Sequence, residues 1–243
     1  MRPARRLGES LTFGGRVPSV VGLLLVLVVA ASIAGALLDD VRALTVFTPA
    51  SILEGQVWRL VTWAFVETQP IDLVFAALMI YWLGRDLSLS FGERGLVLAY
   101  LGLSAGAAVA TTLLSLAWPS LLPGSAAWLG AWPVIAALTL GWGLLFPDRQ
   151  ILFYMVLPVT GRILVWVTLG GTLLFILFSR SVGAYVPHLA AEGLMALYLR
   201  WPRGRRRSRR PGPRFFDRFR RGRFKVIHVE RDPDSRDKPR WLN

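Results

Sequence analysis

The chain has 243 residues, 54% of them apolar, with mean hydropathy +0.50 and a formal net charge of +13. Apolar residues gathered in long runs exclude an ordinary soluble domain and indicate a membrane protein. Cysteine is absent, which excludes disulfides, thiol chemistry and a Cys-based metal site.

Residues 1–16 are short and basic, and they read as a cytoplasmic N-terminus. Val17 to Leu38 is a continuous apolar run long enough to span a bilayer. Its basic start also suits a signal peptide, but the run is longer than a typical signal core and further spans follow. It reads as a retained first helix. Asp39 to Gln69 mixes charges with Trp58, Leu60, Val61, Trp63 and Phe65, in stretches too short to span. Trp58 and Arg59 at this spacing predict an interfacial first loop anchored at headgroup level. As a plain soluble loop, the segment would leave those apolar side chains exposed.

Ile71 to Leu83 predicts a second helix, ending at Gly84-Arg85-Asp86 and followed by a polar connection to Arg94. Gly95 to Leu116 predicts a third, whose Gly102 and Gly106, continued by Ala110, form a small-residue step for close helix approach. Ala117 to Gly124 reads as a loop. Ser125 to Phe146 predicts a fourth helix, interrupted by Pro133 and rich in small residues, as suits a tightly surrounded position. Ile151 to Pro158 is apolar but too short to span. Arg162 to Phe178 and Val186 to Leu199 predict the fifth and sixth helices. The connections divide their Arg residues unequally, and the positive-inside rule then places both termini in the cytoplasm.

The sixth segment carries His188 and Glu192, four residues apart and therefore on one helix face. Ionisable groups at membrane depth are costly and usually face a bundle interior. Snorkelling to the surface serves His188 alone; Glu192 lies more than a turn deeper. A buried polar core is expected. After residue 200, the chain to Lys225 holds thirteen Lys or Arg, counting Arg200, interleaved with Phe215, Phe216, Phe219 and Phe224. Residues 201–243 read as a basic cytoplasmic tail meeting anionic lipid. Nucleic acid is not expected as a partner, because no recognition fold accompanies the tail.

Residues 17 to 200 resemble the rhomboid intramembrane serine proteases. Gly55-Gln56-Val57-Trp58-Arg59 with Leu60 to Phe65 resembles the family's first-loop motif. Leu83-Gly84-Arg85-Asp86-Leu87 resembles the end of its second helix, and Phe146-Pro147-Asp148-Arg149 the turn after its fourth. His188-Leu189-Ala190-Ala191 resembles its sixth-helix motif, with Ala where the family usually has Gly. The resemblance implies an all-α polytopic membrane protein, a six-transmembrane-helix bundle with an interfacial first loop.

Family members use a Ser-His dyad, with a helix-two His and Asn helping the oxyanion. The resemblance carries the base onto His188. The other positions fall on Trp132 for the nucleophile, and on Asp72 and Ala76 for the oxyanion donors. No Ser occurs from Ala126 to Phe178. Ser125 is the nearby alternative; on a continuous helix it would lie about 10 Å from Trp132 along the axis. The expectation is an inactive rhomboid-like protein that binds transmembrane segments of client proteins in the inner membrane of a bacterium, without cofactor or metal. Two alternatives stand beside it. One is an active endopeptidase using Ser125 and His188. The other is a proton- or metal-linked site built from Asp72, His188 and Glu192.

Overall fold

A computed structural model describes residues 18–153 and 157–200. The N-terminal segment 1–16 and the basic tail 201–243 lie outside the described residues. The described chain is almost wholly helical. α1 (Ser19–Leu37) leads into three short helices, α2 (Asp39–Thr45), α3 (Pro49–Leu53) and α4 (Arg59–Thr62), and a 3-10 turn at Trp63–Phe65. Next come α5 (Pro70–Phe91), α6 (Glu93–Ala117) and α7 (Trp132–Leu145). A hairpin of β1 (Gln150–Phe153) and β2 (Leu157–Thr160) follows, then α8 (Gly161–Ser179), a 3-10 turn at Gly183–Tyr185, and α9 (Val186–Arg200). Among the described residues α1, α5, α6 and α8 are long and apolar enough to cross a membrane. The six expected helices are present, but α7 and α9, at 14 and 15 residues, fall short of a bilayer span on their own.

Three sequence expectations are corrected. The second helix does not stop at Gly84-Arg85-Asp86. It runs to Phe91 and is preceded by Gln69, with Pro70 at its first turn. Gly84 is where α1 crosses, since a side chain there would begin 3.1 Å from Val21. The polar connection to α6 shrinks to Gly92, whose φ of 78° turns the chain in a conformation open to glycine. The fourth helix starts at Trp132 rather than Ser125. Pro133 lies in its first turn, where the missing N–H costs nothing, so it opens the helix instead of interrupting it. Within Ile151 to Pro158, the described residues lie in the two strands, with Gln150 paired to Thr160 and Phe153 to Leu157.

α7 is the centre. Ten of its fourteen residues are buried, and α5, α6, α8 and α9 all pack on it. Close approach depends on glycine. A side chain at Gly141 would begin 2.3 Å from Met195 of α9, and one at Gly143 would begin 2.6 Å from the Gly161 carbonyl of α8. On α6, Gly106 receives Leu194 of α9 at 2.6 Å, whereas Gly102 has nothing within 4 Å. Half of the expected small-residue step therefore makes a helix contact.

The two motif segments around Asp86 and Arg149 meet at the C-terminal end of α7. Asp86 Oδ2 accepts from Arg149 Nη1 at 2.8 Å and from Trp142 Nε1 at 3.0 Å. The Arg149 guanidinium lies 5.0 Å from the Phe146 ring centre. At the other end, the first loop folds over α6. Tyr100 donates to the Ala64 carbonyl at 2.6 Å and Ser104 to Leu60 at 3.1 Å. Phe47 pairs through its backbone with Trp128 and stacks on its ring at 5.5 Å.

Trp58 and Arg59 both make hydrogen bonds within this loop. Trp58 is half exposed and donates through Nε1 to the Leu44 carbonyl at 3.2 Å. Arg59 donates to the Val46 carbonyl and, at 2.6 Å, to Gln56 Oε1.

Gly161→Ala places a methyl 2.2 Å from the Phe146 carbonyl and should lower stability in detergent by about 1–3 kcal/mol, the usual cost of overpacking. Gly102→Ala, in open space on a helix, should leave it unchanged or raise it by up to about 1 kcal/mol. Thermal melts of the two variants check both. Arg59→Ala should cost about 1–3 kcal/mol by stranding the Val46 carbonyl and the Gln56 amide, read in the same melts.

Candidate functional site

The positions singled out in the sequence lie near the N-terminal ends of their helices, α5, α7 and α9. Trp132 is the first residue of α7 and is half-buried. Asp72 lies in the first turn of α5, where a carboxylate complements the helix dipole. Ala76, one turn on, is fully buried. His188 lies in the first turn of α9 and is half-buried, with Glu192 one turn later.

Ser125 is not on this framework. It is exposed and lies in the irregular segment before α7, so the helical spacing expected between it and Trp132 does not exist. Asp72, His188 and Glu192 do not form an ion site. Among the described residues no group of three His, Cys, Asp or Glu comes together to hold a metal.

A residue the sequence reading passed over occupies the centre of this region. Glu67 precedes α5 and is 7% exposed. Its Oε1 accepts from the Ala131 N–H at 2.7 Å, at the position immediately before α7. Its own N–H donates to Ser32 Oγ at 2.9 Å, and Ser32 donates in turn to the Val28 carbonyl at 2.7 Å. Gly130 makes room for the carboxyl. Its φ is 123°, and a side chain there would begin 3.1 Å from Glu67 Oε2. The first loop, α1 and the start of α7 are thus tied through one residue, by its backbone N–H to α1 and its carboxyl to α7. A carboxylate suits a helix N-terminus because it answers a free N–H and meets the positive end of the dipole.

Trp132 offers an indole N–H and no nucleophilic oxygen. Ala76 offers no side-chain donor, and the Ala131 N–H is already engaged by Glu67.

On the far side of α9, Glu192 faces α8. It is 3% exposed, and its Oε1 accepts from Thr172 Oγ1 at 2.8 Å. The His188 ring lies 5.3 Å from that of Tyr185, which stacks on Phe175 at 6.1 Å. Glu192 Oε2 and His188 Nδ1 are buried without a hydrogen-bond partner among the described residues. The expected polar core is therefore present, turned at Glu192 toward α8.

Residues 21–205 match the family model described as Eukaryotic integral membrane protein (DUF1751). None of the curated proteins matches the chain. The family's eukaryotic description lends no support to the bacterial membrane expected from the sequence.

Burial raises the Glu67 carboxyl above the usual carboxylate range; the Ala131 N–H opposes the rise and the charge of Asp72 adds to it. The folded protein therefore holds this proton more tightly than the unfolded chain. Its contribution favours folding at low pH and is lost as pH rises from the ordinary carboxylate range through the raised folded value. Glu67→Gln keeps an oxygen for Ala131 and removes the titration. Melting temperature against pH in detergent should fall over that window in the wild type and should lose this component in the variant.

Proposed function

The chain belongs to that family of integral membrane proteins, and we propose that it is a rhomboid-like protein that holds transmembrane segments of client proteins without cleaving them. The observation that carries this reading is the Glu67–Ala131 contact. It engages, from within the chain, an N–H beside the position where a substrate carbonyl would be polarised. Trp132 at the nucleophile position removes the attacking group as well. What remains is a helical fold with wide apolar faces: on α8, Trp166, Leu173, Phe175, Leu177 and Phe178 are all exposed. Such faces meet lipid or another helix.

In this reading all six longer helices are embedded, and Trp58 and Arg59 hold the first loop at headgroup level. Both termini are cytoplasmic, and the basic tail lies against anionic lipid. His188 is a retained base position with no partner to activate.

Reconstituted protein incubated with rhomboid-type transmembrane substrates should leave them intact, and a serine-reactive fluorophosphonate should not label it. Photocrosslinks to intact substrate segments should form. Cleavage abolished by Ser125→Ala or His188→Ala, or labelling at Ser125, would establish the active endopeptidase instead.

A further inference from the structure

α8 and α9 lean on α7 rather than on each other. Along the line where they come near, a short seam joins them. Phe175 stacks on Tyr185, Tyr185 meets His188, and Thr172 donates to Glu192. Thr172 and Glu192 are 7% and 3% exposed, so this polar pair is enclosed among apolar side chains. It is also incomplete, because Glu192 Oε2 and His188 Nδ1 have no partner among the described residues. A buried polar atom left unanswered is costly, and hydrocarbon offers nothing in place of water. The flanking backbone is open. Gly170 and Gly171 on α8 and Gly193 on α9 have nothing within 4 Å of where a side chain would begin. Exposed glycine lets a second helix approach closely.

We propose that the α8–α9 seam docks one transmembrane helix of a client and reads an uncharged hydrogen-bonding side chain on it, a carboxamide or hydroxyl. This deepens the client-binding reading above and rests on it. The chemistry follows from the two unanswered atoms. A carboxyl oxygen donates or accepts according to its proton, and an imidazole nitrogen does so according to its tautomer. A carboxamide carries both a donor and an acceptor, so it can answer either state of each. An ammonium group offers donors only, and an apolar side chain offers neither.

The test uses full-length protein in phosphatidylcholine vesicles, with p-benzoylphenylalanine at Leu169, one turn before Thr172 on α8. A second probe site at the exposed Val74 on α5 reports binding elsewhere. Three poly-leucine transmembrane peptides are compared, with a central Asn, a central Lys or leucine throughout. The Asn peptide should crosslink at Leu169 about threefold to tenfold more strongly than the leucine peptide, the range expected for an interhelical hydrogen bond in lipid. Glu192→Met should erase that preference, with a melting curve to show that the variant folds. His188→Phe, at the half-buried and less demanding position, should reduce it and serves if Glu192→Met does not fold. Equal crosslinking of the Asn and leucine peptides at Leu169 would overturn polar recognition while leaving client binding standing. Crosslinking at Val74 alone would overturn the seam and keep the broader reading. A preference for the Lys peptide would replace the proposal with charge pairing. Crosslinking at neither position would remove the client-binding reading together with the seam.

Discussion

α7 is enclosed by its neighbours, and α8 and α9 reach it most closely where glycine leaves room. Met195 enters above Gly141, and the α8 backbone passes Gly143 at Gly161. These approaches bring α8 and α9 against the same short helix, and so set the spacing of the seam between them. Packing at this density transmits any added volume as a shift of whole helices. The N-terminal end of α7 is held differently, by the Glu67 carboxyl rather than by packing alone.

Among the described residues two carboxyl groups are buried, in contrasting states. Glu67 is built into its surroundings. Its backbone N–H meets Ser32, one side-chain oxygen meets Ala131, and glycine clears space for the other. Glu192 is answered on one oxygen only. The first arrangement is complete within the chain and fixes the first loop. The second leaves hydrogen-bonding capacity enclosed among helices, where satisfaction has to come from another molecule or be forgone. The two carboxyl groups thus sit differently: Glu67 is closed in by its own chain, and Glu192 lies between two helices that scarcely meet.

The long helices were legible because an apolar run is a local signal. α1, α6 and α8 begin and end within about two residues of the runs that announce them. Their neighbours were misjudged where tertiary contacts overrule local cues. Gly84 and Asp86 read as a helix end, yet Val21 packs on the glycine and Arg149 with Trp142 satisfies the aspartate. The start of α7 was placed too early because Ser125 to Leu129 carries no break. The real signals, Gly130 at positive φ and Pro133 in the first turn, are ambiguous until the chain is folded. Of the site, His188, Glu192, Trp132 and Ala76 could be named from spacing and resemblance. Glu67 could not, because its partner Ala131 lies 64 residues away. Its sole local sign is a charged residue directly after Phe65 and Val66.

The brevity of α7 also constrains how the protein is made. Fourteen residues rise about 21 Å, against a hydrocarbon core of roughly 30 Å. Released alone into lipid during synthesis, α7 would have to thin the bilayer around itself. α8, with 19 residues and few of them buried, can enter lipid as an independent unit. Order of emergence therefore differs from order of settling. α7 is synthesised before α8 and α9, and the packing that buries ten of its residues is complete only once those segments have been made and packed on it.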